Sequence, residues 1–189
     1  MVYVKSEEVK AAQDVVKEKL LLSALIILAK SGMEAVTVRN VARRAGCALG
    51  MVYKLYPGKD EMLAALANRK LADDLGAIEV AMRKRLTPST QIAAALAAFY
   101  GQTKRPRLTR ALFEIPHYRE GVLGIFRRLM HEQENPEIAA VLAVSIVYGS
   151  AIFAKRQDPD TVATAALRAI GFTYAAAENA VVNARYATT

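Results

Sequence analysis

Residues 32–63 read GMEAVTVRNVARRAGCALGMVYKLYPGKDEML, and this stretch decides how the chain folds. Thr37 can cap the start of a helix with its hydroxyl group. Four apolar residues of that helix then fall on one face: Val38, Val41, Ala42 and Ala45. Gly46 can take the left-handed conformation that ends a helix, and Ala48 begins a second helix, which Pro57-Gly58 stops. The stretch therefore predicts two short helices joined by a tight turn, followed by a longer helix.

The predicted arrangement is a helix-turn-helix unit, whose second helix lies in the major groove in DNA-binding proteins. Its inward face would carry Val52, Leu55 and Tyr56, and its outward face Leu49, Gly50, Met51, Tyr53 and Lys54. Leu49 and Met51 can touch thymine methyl groups, but they cannot form bidentate hydrogen bonds with bases. Specificity would therefore depend on Lys54, on apolar contacts and on DNA shape.

The segment resembles the DNA-binding unit of the TetR family of transcriptional regulators, over about residues 17–66. The matching positions occur in the family's order and without gaps: Gly32, Thr37, Val41-Ala42, Ala45-Gly46-Cys47-Ala48, Gly50, Val52-Tyr53, Tyr56, Lys59 and Leu63. Upstream, five apolar residues fall where the family's first helix places its core: Leu20, Leu21, Ala24, Leu25 and Leu28. Three positions depart from the pattern, with Ala48 where a serine, Met51 where a threonine and Leu55 where a histidine is frequent.

The resemblance implies which residues bind DNA. Thr37, Tyr53 and Lys59 fall where family members contact phosphates. Gly50 falls where the recognition helix comes closest to DNA, so that a side chain would obstruct the approach. The predicted DNA-binding residues are Thr37, Arg39, Ala48, Leu49, Gly50, Met51, Tyr53, Lys54 and Lys59. Without a serine at position 48, one helix cap and one possible phosphate contact are lost.

The charge of the chain suits a polyanionic partner. Its 189 residues carry a formal net charge of +8. Residues 1–71 hold 12 Lys or Arg against 7 Asp or Glu, whereas residues 72–189 hold 14 against 11. The basic excess is therefore densest around the helix-turn-helix. Basic surfaces attract nucleic acid and speed its capture, although basic charge alone is weak evidence for that partner.

No catalytic arrangement is recognisable in the sequence. Two histidines, one cysteine and no glycine-rich phosphate loop provide neither a nucleophile with its base nor metal-ligand spacing. Asp73-Asp74 is interpreted as solvated charge on a polar helix face. We therefore expect no enzyme, no metal and no cofactor. Cys47 is interpreted as a filler between the two short helices, with a redox sensor as the alternative, and a lone cysteine excludes an internal disulfide.

The sequence indicates a cytoplasmic protein without a membrane partner. The N-terminus MVYVKSEEVK is mixed and charged, unlike a secretory signal. Residues 138–154 lack charge, and this length reaches the lower limit for a membrane-spanning helix. Their alanine, serine and glycine content instead favours a helix buried between protein partners.

The breaks between segments predict further helices. Three of them pair a capping residue with proline at the first helical position, namely Thr87-Pro88, Asn135-Pro136 and Asp158-Pro159. After a long helix from Lys59 to about 86, we expect helices over 88–102, 106–115, 119–132, 137–155 and 160–177. Pro116 is expected to stop the helix over 106–115. The fold class is thus all-α, with about nine helices.

Two domains are expected. Residues 11–58 would form the helix-turn-helix DNA-binding domain, and residues 59–189 a helical effector-binding and dimerisation domain. Because a short turn fixes the recognition helix to the long helix from Lys59, a tilt of that helix would move the DNA-reading surface. The small residues of helices 137–155 and 160–177 would let two subunits pack closely as a four-helix interface, the alternative being an ordinary core.

The resemblance also implies a pocket for an unidentified small-molecule effector in the helical body. Its candidate lining residues are Phe99, Phe113, His117, Phe126 and Tyr148, although residues of this kind also fill cores. His117 would lie in a loop between helices. A basic cluster formed by residues 104–107 with Arg110 could bind an anionic effector or simply be a solvated helix start.

The leading hypothesis is a ligand-responsive transcriptional regulator that binds double-stranded DNA as a homodimer. Its palindromic operator would carry half-sites roughly 34–36 Å apart. Because most members of the family that it resembles are repressors, we expect a repressor that an effector releases from the operator. The alternative is a helical dimeric interaction or sensor module that has lost sequence-specific DNA binding. The apolar residues Leu22, Ile26, Leu49 and Met51, at positions that are normally polar or read bases, support this alternative.

Overall fold

A computed structural model describes residues 7–154 and 157–186 of the chain. Within these residues the chain forms ten α-helices, a short 3₁₀ helix and no strand. The helices are α1 Glu7–Ser31, α2 Val38–Ala45, α3 Leu49–Leu55, α4 Lys59–Met82, α5 Pro88–Gln102, α6 Pro106–Phe113, α7 Pro116–Leu129, α8 Pro136–Phe153, α9 Pro159–Ala169 and α10 Tyr174–Tyr186, with the 3₁₀ helix at Met33–Ala35. The predicted all-α fold is confirmed, with ten described helices instead of about nine.

The chain divides into two compact units, residues 1–67 and 68–189, and α4 runs through the boundary as one continuous helix. In the first unit α2 packs against both α1 and α3. The core of this unit consists of fully buried apolar residues: Leu20, Ala24, Leu28, Val36, Val41 and Val52. These include the positions that the helical spacing of the sequence assigns to the inner face.

The second unit is built around α5, which contacts α7, α8, α9 and α10. Its residues from Ile92 to Leu96 are all buried, as are Phe99 and Tyr100. Phe99 packs against Phe126 of α7, with 5.5 Å between the ring centroids. A helix that is apolar nearly all round belongs inside a bundle, and α5 occupies that place.

The three predicted starts at proline are confirmed by their caps. The Thr90 backbone N–H donates to the Thr87 hydroxyl at 3.4 Å, within a capping box. The Ile138 N–H donates to the Asn135 side chain at 3.1 Å. In the third cap the Asp158 carboxylate accepts from the N–H groups of Asp160 and Thr161. Each side chain satisfies amide donors that would lack a partner in the first helical turn.

Two predicted helices have the wrong bounds. Pro116 does not only stop α6 but is also the first residue of α7, which therefore begins three residues before the predicted Arg119. Ile115 before it is extended, as proline requires of its predecessor. The helix predicted over 160–177 is in fact two helices. Gly171, at φ 101°, ends the first, and the Thr173 hydroxyl accepts the Ala176 N–H at the start of α10.

Other helix ends differ by a few residues. The long helix α4 ends at Met82, not near 86, and the left-handed Lys84 (φ 67°) follows it. The sixth and eighth helices end at Phe113 and Phe153, two residues short of the predicted ends. Residue 155 lies outside the described residues. Helix ends fray because their last carbonyl groups lack intrahelical partners, so periodicity locates them poorly.

Candidate nucleic-acid interface

The start of α2 is held by a network of hydrogen bonds around Thr37. The Asn40 backbone N–H donates to the Thr37 hydroxyl at 3.1 Å. The Asn40 side chain donates to the Ala35 carbonyl at 3.0 Å and accepts from the Arg43 guanidinium at 3.0 Å. Thr37 is half-buried. Because a hydroxyl that accepts one hydrogen bond keeps its own hydrogen to donate, the cap leaves Thr37 able to bind a phosphate oxygen.

The turn between α2 and α3 is a Schellman motif centred on Gly46. Gly46 is left-handed, with φ 62°. Its N–H donates to the Arg43 carbonyl at 3.3 Å, and the Cys47 N–H donates to the Ala42 carbonyl at 3.0 Å. These two bonds end α2 and set the direction in which the chain enters α3. Cys47 is half-buried at this point, which fits a filler between the two helices.

The third helix has two faces of different character. Val52 is fully buried and Tyr56 nearly so, and Leu55 is half-buried. On the other side Met51 is 47% exposed and Tyr53 51% exposed. Ala48, Leu49, Gly50 and Lys54 are exposed as well. The inward and outward faces predicted from the sequence are thus the faces that the structure shows.

Gly50 has no structural reason within the chain to be glycine. Its φ angle is not positive, and a Cβ atom built on it would meet nothing within 4 Å. A glycine inside a helix costs about 1 kcal/mol relative to alanine. The helix backbone at Gly50 is therefore open to an external surface, as it also is at Gly76.

The exposed charge of this region is positive. Residues 32–59 contain five basic residues and one acid, Glu34. Arg39, Arg44 and Lys54 are exposed, and Lys59 is half-buried at the start of α4. Arg44, exposed on α2 beside Arg43, adds to this positive charge.

Two residues flank α3, Ala48 before its first residue and Tyr56 after its last. Ala48 precedes α3 without a side-chain hydrogen bond, as the replacement of serine by alanine predicts. Tyr56 is buried, and this burial, with a smaller contribution from the Glu18 carboxylate, raises the pKa of Tyr56. The phenol therefore stays neutral at physiological pH and places no negative charge beside the basic surface.

The predicted effector residues do not all lie together. Phe113 of α6 packs against Tyr148 of α8, with ring centroids 4.7 Å apart, and lies 6.5 Å from Phe99. Phe99 and Phe126 are fully buried. The four aromatic residues therefore form one cluster in the second unit. His117 lies elsewhere: it is exposed, and its Nε2 is 2.6 Å from the Asn68 Oδ1 atom, although it belongs to α7 and not to a loop.

The same unit buries Asp74, for which the prediction of solvated charge is wrong. Asp73 is exposed, as expected, but Asp74 has no exposed surface. One oxygen of the Asp74 carboxylate accepts the Tyr118 hydroxyl at 2.6 Å, and the other forms an ion pair with Lys70. Burial, followed by the Asp74 charge and hydrogen bond, raises the pKa of Tyr118. The four-residue spacing of Lys70 and Asp74, which brings opposite charges together on one helix face, indicates this ion pair in the sequence.

A family model described as bacterial regulatory proteins of the TetR family matches residues 20–66 of the chain. That segment contains α2, α3 and the turn between them. Residues 20–66 therefore belong to the DNA-binding segment of the TetR family of bacterial regulatory proteins, and within them α2, the turn and α3 form its helix-turn-helix. No curated protein matches it in sequence.

Solved structures share the fold of this chain along most of its length. RolR without ligand matches with a TM-score of 0.67 and 18% identity, covering 87% of this chain and 96% of RolR. A TetR-family regulator from Haemophilus influenzae matches with a TM-score of 0.66 and 16% identity, covering 84% and 97%. RolR in complex with resorcinol gives 0.58 and 19%, covering 91% and 95%. Since the identities are low, these likenesses concern the fold.

Proposed function

We propose that this chain is a TetR-family transcriptional repressor that binds a palindromic operator as a homodimer and leaves it when a small molecule binds. The observation that carries the proposal is the division of α3 into a buried face and an exposed face, with Gly50 on the exposed face. The proposed contacts are those of Thr37, Tyr53 and Lys59 with phosphates, and of Leu49, Met51 and Lys54 with bases or backbone. Arg39 and Ala48 complete the proposed surface.

The eighth helix supports the homodimer. Four residues at helical spacing, Ile138, Val141, Leu142 and Ser145, are exposed on one face of α8. This helix is long and apolar enough to cross a membrane, and 28% of it is buried within the chain. A second copy would cover the apolar face, and its two-fold axis would match the symmetry of a palindromic site. Leu142→Glu should then give monomers in sedimentation, whereas Leu86→Glu, on an exposed residue outside α8, should not.

Release by an effector is supported by the continuity of α4. This helix begins four residues after α3 and carries Lys70 and Asp74 further along its length. We expect an effector that prefers one orientation of α4 to change the separation of the two recognition helices. RolR, whose fold is similar, has been solved with resorcinol, a small organic ligand.

The alternative is a dimeric interaction module that no longer binds specific DNA. The exposed apolar residues Leu49 and Met51 are the observation that favours it, since neither can form bidentate hydrogen bonds with bases. A gel shift with duplex DNA from the chain's own upstream region separates the two functions. The repressor should retain the duplex at low salt and release it as salt rises, whereas the module should not retain it.

Lys59 gives a residue-level test of the same proposal. Lys59→Ala should reduce the slope of log affinity against log salt by about 0.9, because one phosphate contact is lost. Lys19→Ala removes the same charge from an exposed position on α1 and should leave the slope unchanged. Equal slopes in the wild type and the Lys59 variant would show that Lys59 binds no phosphate.

A further inference from the structure

A cavity of about 230 Å³ opens in the second unit between α4, the α5–α6 connection and α7. Lys70, Lys104 and Arg105 contribute to its lining, with Leu108 of α6 and Tyr118 of α7. We call it the cationic cavity. Among the described residues that line it, three are basic and none is acidic. None of the four aromatic residues that the sequence suggested for an effector lines it, although Tyr118 contacts one of them, Phe113, with 5.6 Å between the ring centroids.

The basic groups at the mouth of the cavity have no carboxylate partner. Lys104 and Arg105 are exposed, and neither forms an ion pair with any described residue. They stand just before α6, whose first turn follows at Pro106. Two unpaired cations beside the positive end of a helix attract an anion.

The wall of the cavity offers a further polar group. Thr109 lines it and is only 6% exposed. Among the described residues, none forms a hydrogen bond with the Thr109 hydroxyl, and this oxygen is not one of the fully enclosed polar atoms without a partner. Solvent therefore reaches the hydroxyl, and a ligand in the cavity can accept a hydrogen bond from it. Leu108 and Leu112 are buried beside it and provide an apolar surface.

Lys70 lines the cavity and also contacts the buried Asp74 carboxylate, which is hydrogen-bonded to Tyr118. Its side chain is 15% exposed and lines the cavity, while its ammonium group pairs with Asp74, which lies on the same helix α4. Asp74 in turn accepts the Tyr118 hydroxyl from α7. An anion in the cavity would compete with Asp74 for Lys70, and would therefore alter the link between α4 and α7.

We infer that the cationic cavity binds a small organic carboxylate, and that this anion is the effector class of the regulator. The carboxylate binds Lys104 and Arg105, its apolar part lies against Leu108 and Leu112, and the Thr109 hydroxyl donates to it. The cavity is smaller than the roughly 300–1,000 Å³ of drug-sized sites, so the ligand is small. This inference rests on the proposed function, because only a regulator has an effector.

Matched probes test the charge preference directly. Benzoate and hexanoate are compared with benzamide and hexanamide, which have similar shape but no charge, by calorimetric titration of the full chain at constant ionic strength. At least one carboxylate should bind ten times or more tightly than its amide. If neither carboxylate binds, or if the amides bind as tightly, the inference is wrong.

A pair of double variants separates a local site from general charge. Lys104→Gln with Arg105→Gln removes two positive charges at the cavity, and the preference for carboxylate should fall at least tenfold. Arg107→Gln with Arg110→Gln removes two positive charges from exposed positions of α6 and should keep the preference. Equal weakening by both pairs would contradict a site at the cavity.

DNA binding measured without any carboxylate distinguishes a failure of this inference from a failure of the proposed function. The Lys104 and Arg105 double variant should bind DNA as the wild type does, but benzoate or hexanoate should no longer release it. If the wild type retains DNA and no carboxylate binds, the effector class is wrong and the regulator stands. If the wild type retains no DNA, the proposed function itself fails.

Discussion

The two units of the chain differ in which side chains they place in an unfavourable environment. In the helix-turn-helix, α3 exposes Leu49 and Met51, which would be more stable in a core. In the second unit, α4 buries Asp74, which would be more stable in water. A buried charge costs free energy unless it is paired, and Asp74 has its partners inside the chain. The exposed face of α3 has no such contact within the chain and is open to the proposed DNA partner.

The largest expected effect concerns the buried carboxylate. Asp74→Ala leaves Lys70 and the Tyr118 hydroxyl without their shared acceptor, and should lower the free energy of unfolding by about 3–5 kcal/mol. Asp73→Ala, one residue earlier, removes an exposed partner of Arg69 and should cost at most about 1 kcal/mol. Urea unfolding of both variants measures the difference. Equal losses would mean that burial of Asp74 has no energetic importance.

Gly50 is the corresponding test for the exposed face. Gly50→Ala should stabilise the fold by about 0.5–1 kcal/mol, because alanine suits a helix better and its Cβ atom has open space. The same change should weaken DNA binding, by about 1–3 kcal/mol if it disturbs the fit as a mismatched base pair does.

Gly76→Ala is the matched control for that change. Gly76 lies in α4, is exposed and has equally open surroundings, so its replacement should also stabilise the fold. Its affinity for DNA should stay unchanged. An unaltered DNA affinity of the Gly50 variant would remove the proposed reason for glycine at that position.

The alkaline pH dependence of stability tests the Tyr118 contact. Burial first, and then Asp74, raises the pKa of Tyr118 above its ordinary value of 10.0. The phenol therefore contributes stability that is fully present below pH 10 and is lost as the pH rises further, because the unfolded chain releases this proton first. The loss should approach about 1.4 kcal/mol per pH unit for one proton.

A phenylalanine variant isolates that proton. Tyr118→Phe should reduce the slope of stability against pH above 10 by one proton. The free energy of unfolding of the wild type and the variant, measured between pH 8 and 11, provides both slopes. Identical slopes for the wild type and Tyr118→Phe would place Tyr118 in solvent.

The sequence predicted the first unit better than the second for a physical reason. Around α2 and α3, capping, the left-handed glycine and helical spacing act within a few residues, so Thr37, Gly46 and Val52 could be placed by local rules. The three proline starts were found in the same way. These signals depend on short-range contacts that any helix of this sequence would make.

The second unit depends on contacts between residues far apart in the chain. Asp74 looked like its neighbour Asp73 because nothing local shows that Tyr118 will approach it, 44 residues later. The break at Gly171 was hidden between two alanine-rich segments of similar spacing. Pro116 was recognised as a stop but not as a start, because a proline signals both. The cationic cavity likewise forms only when α4, α6 and α7 come together.

Hydrogen exchange with and without DNA tests the central claim most directly. A duplex from the chain's own upstream region is added to the full chain at low salt, and the exchange of backbone amides is followed by mass spectrometry. We expect the duplex to slow exchange in the segment 37–59, which contains α2 and α3, and to leave α5 unaffected. The claim that this segment binds DNA would be contradicted if its exchange were not slowed, whether the duplex binds elsewhere on the chain or does not bind at all.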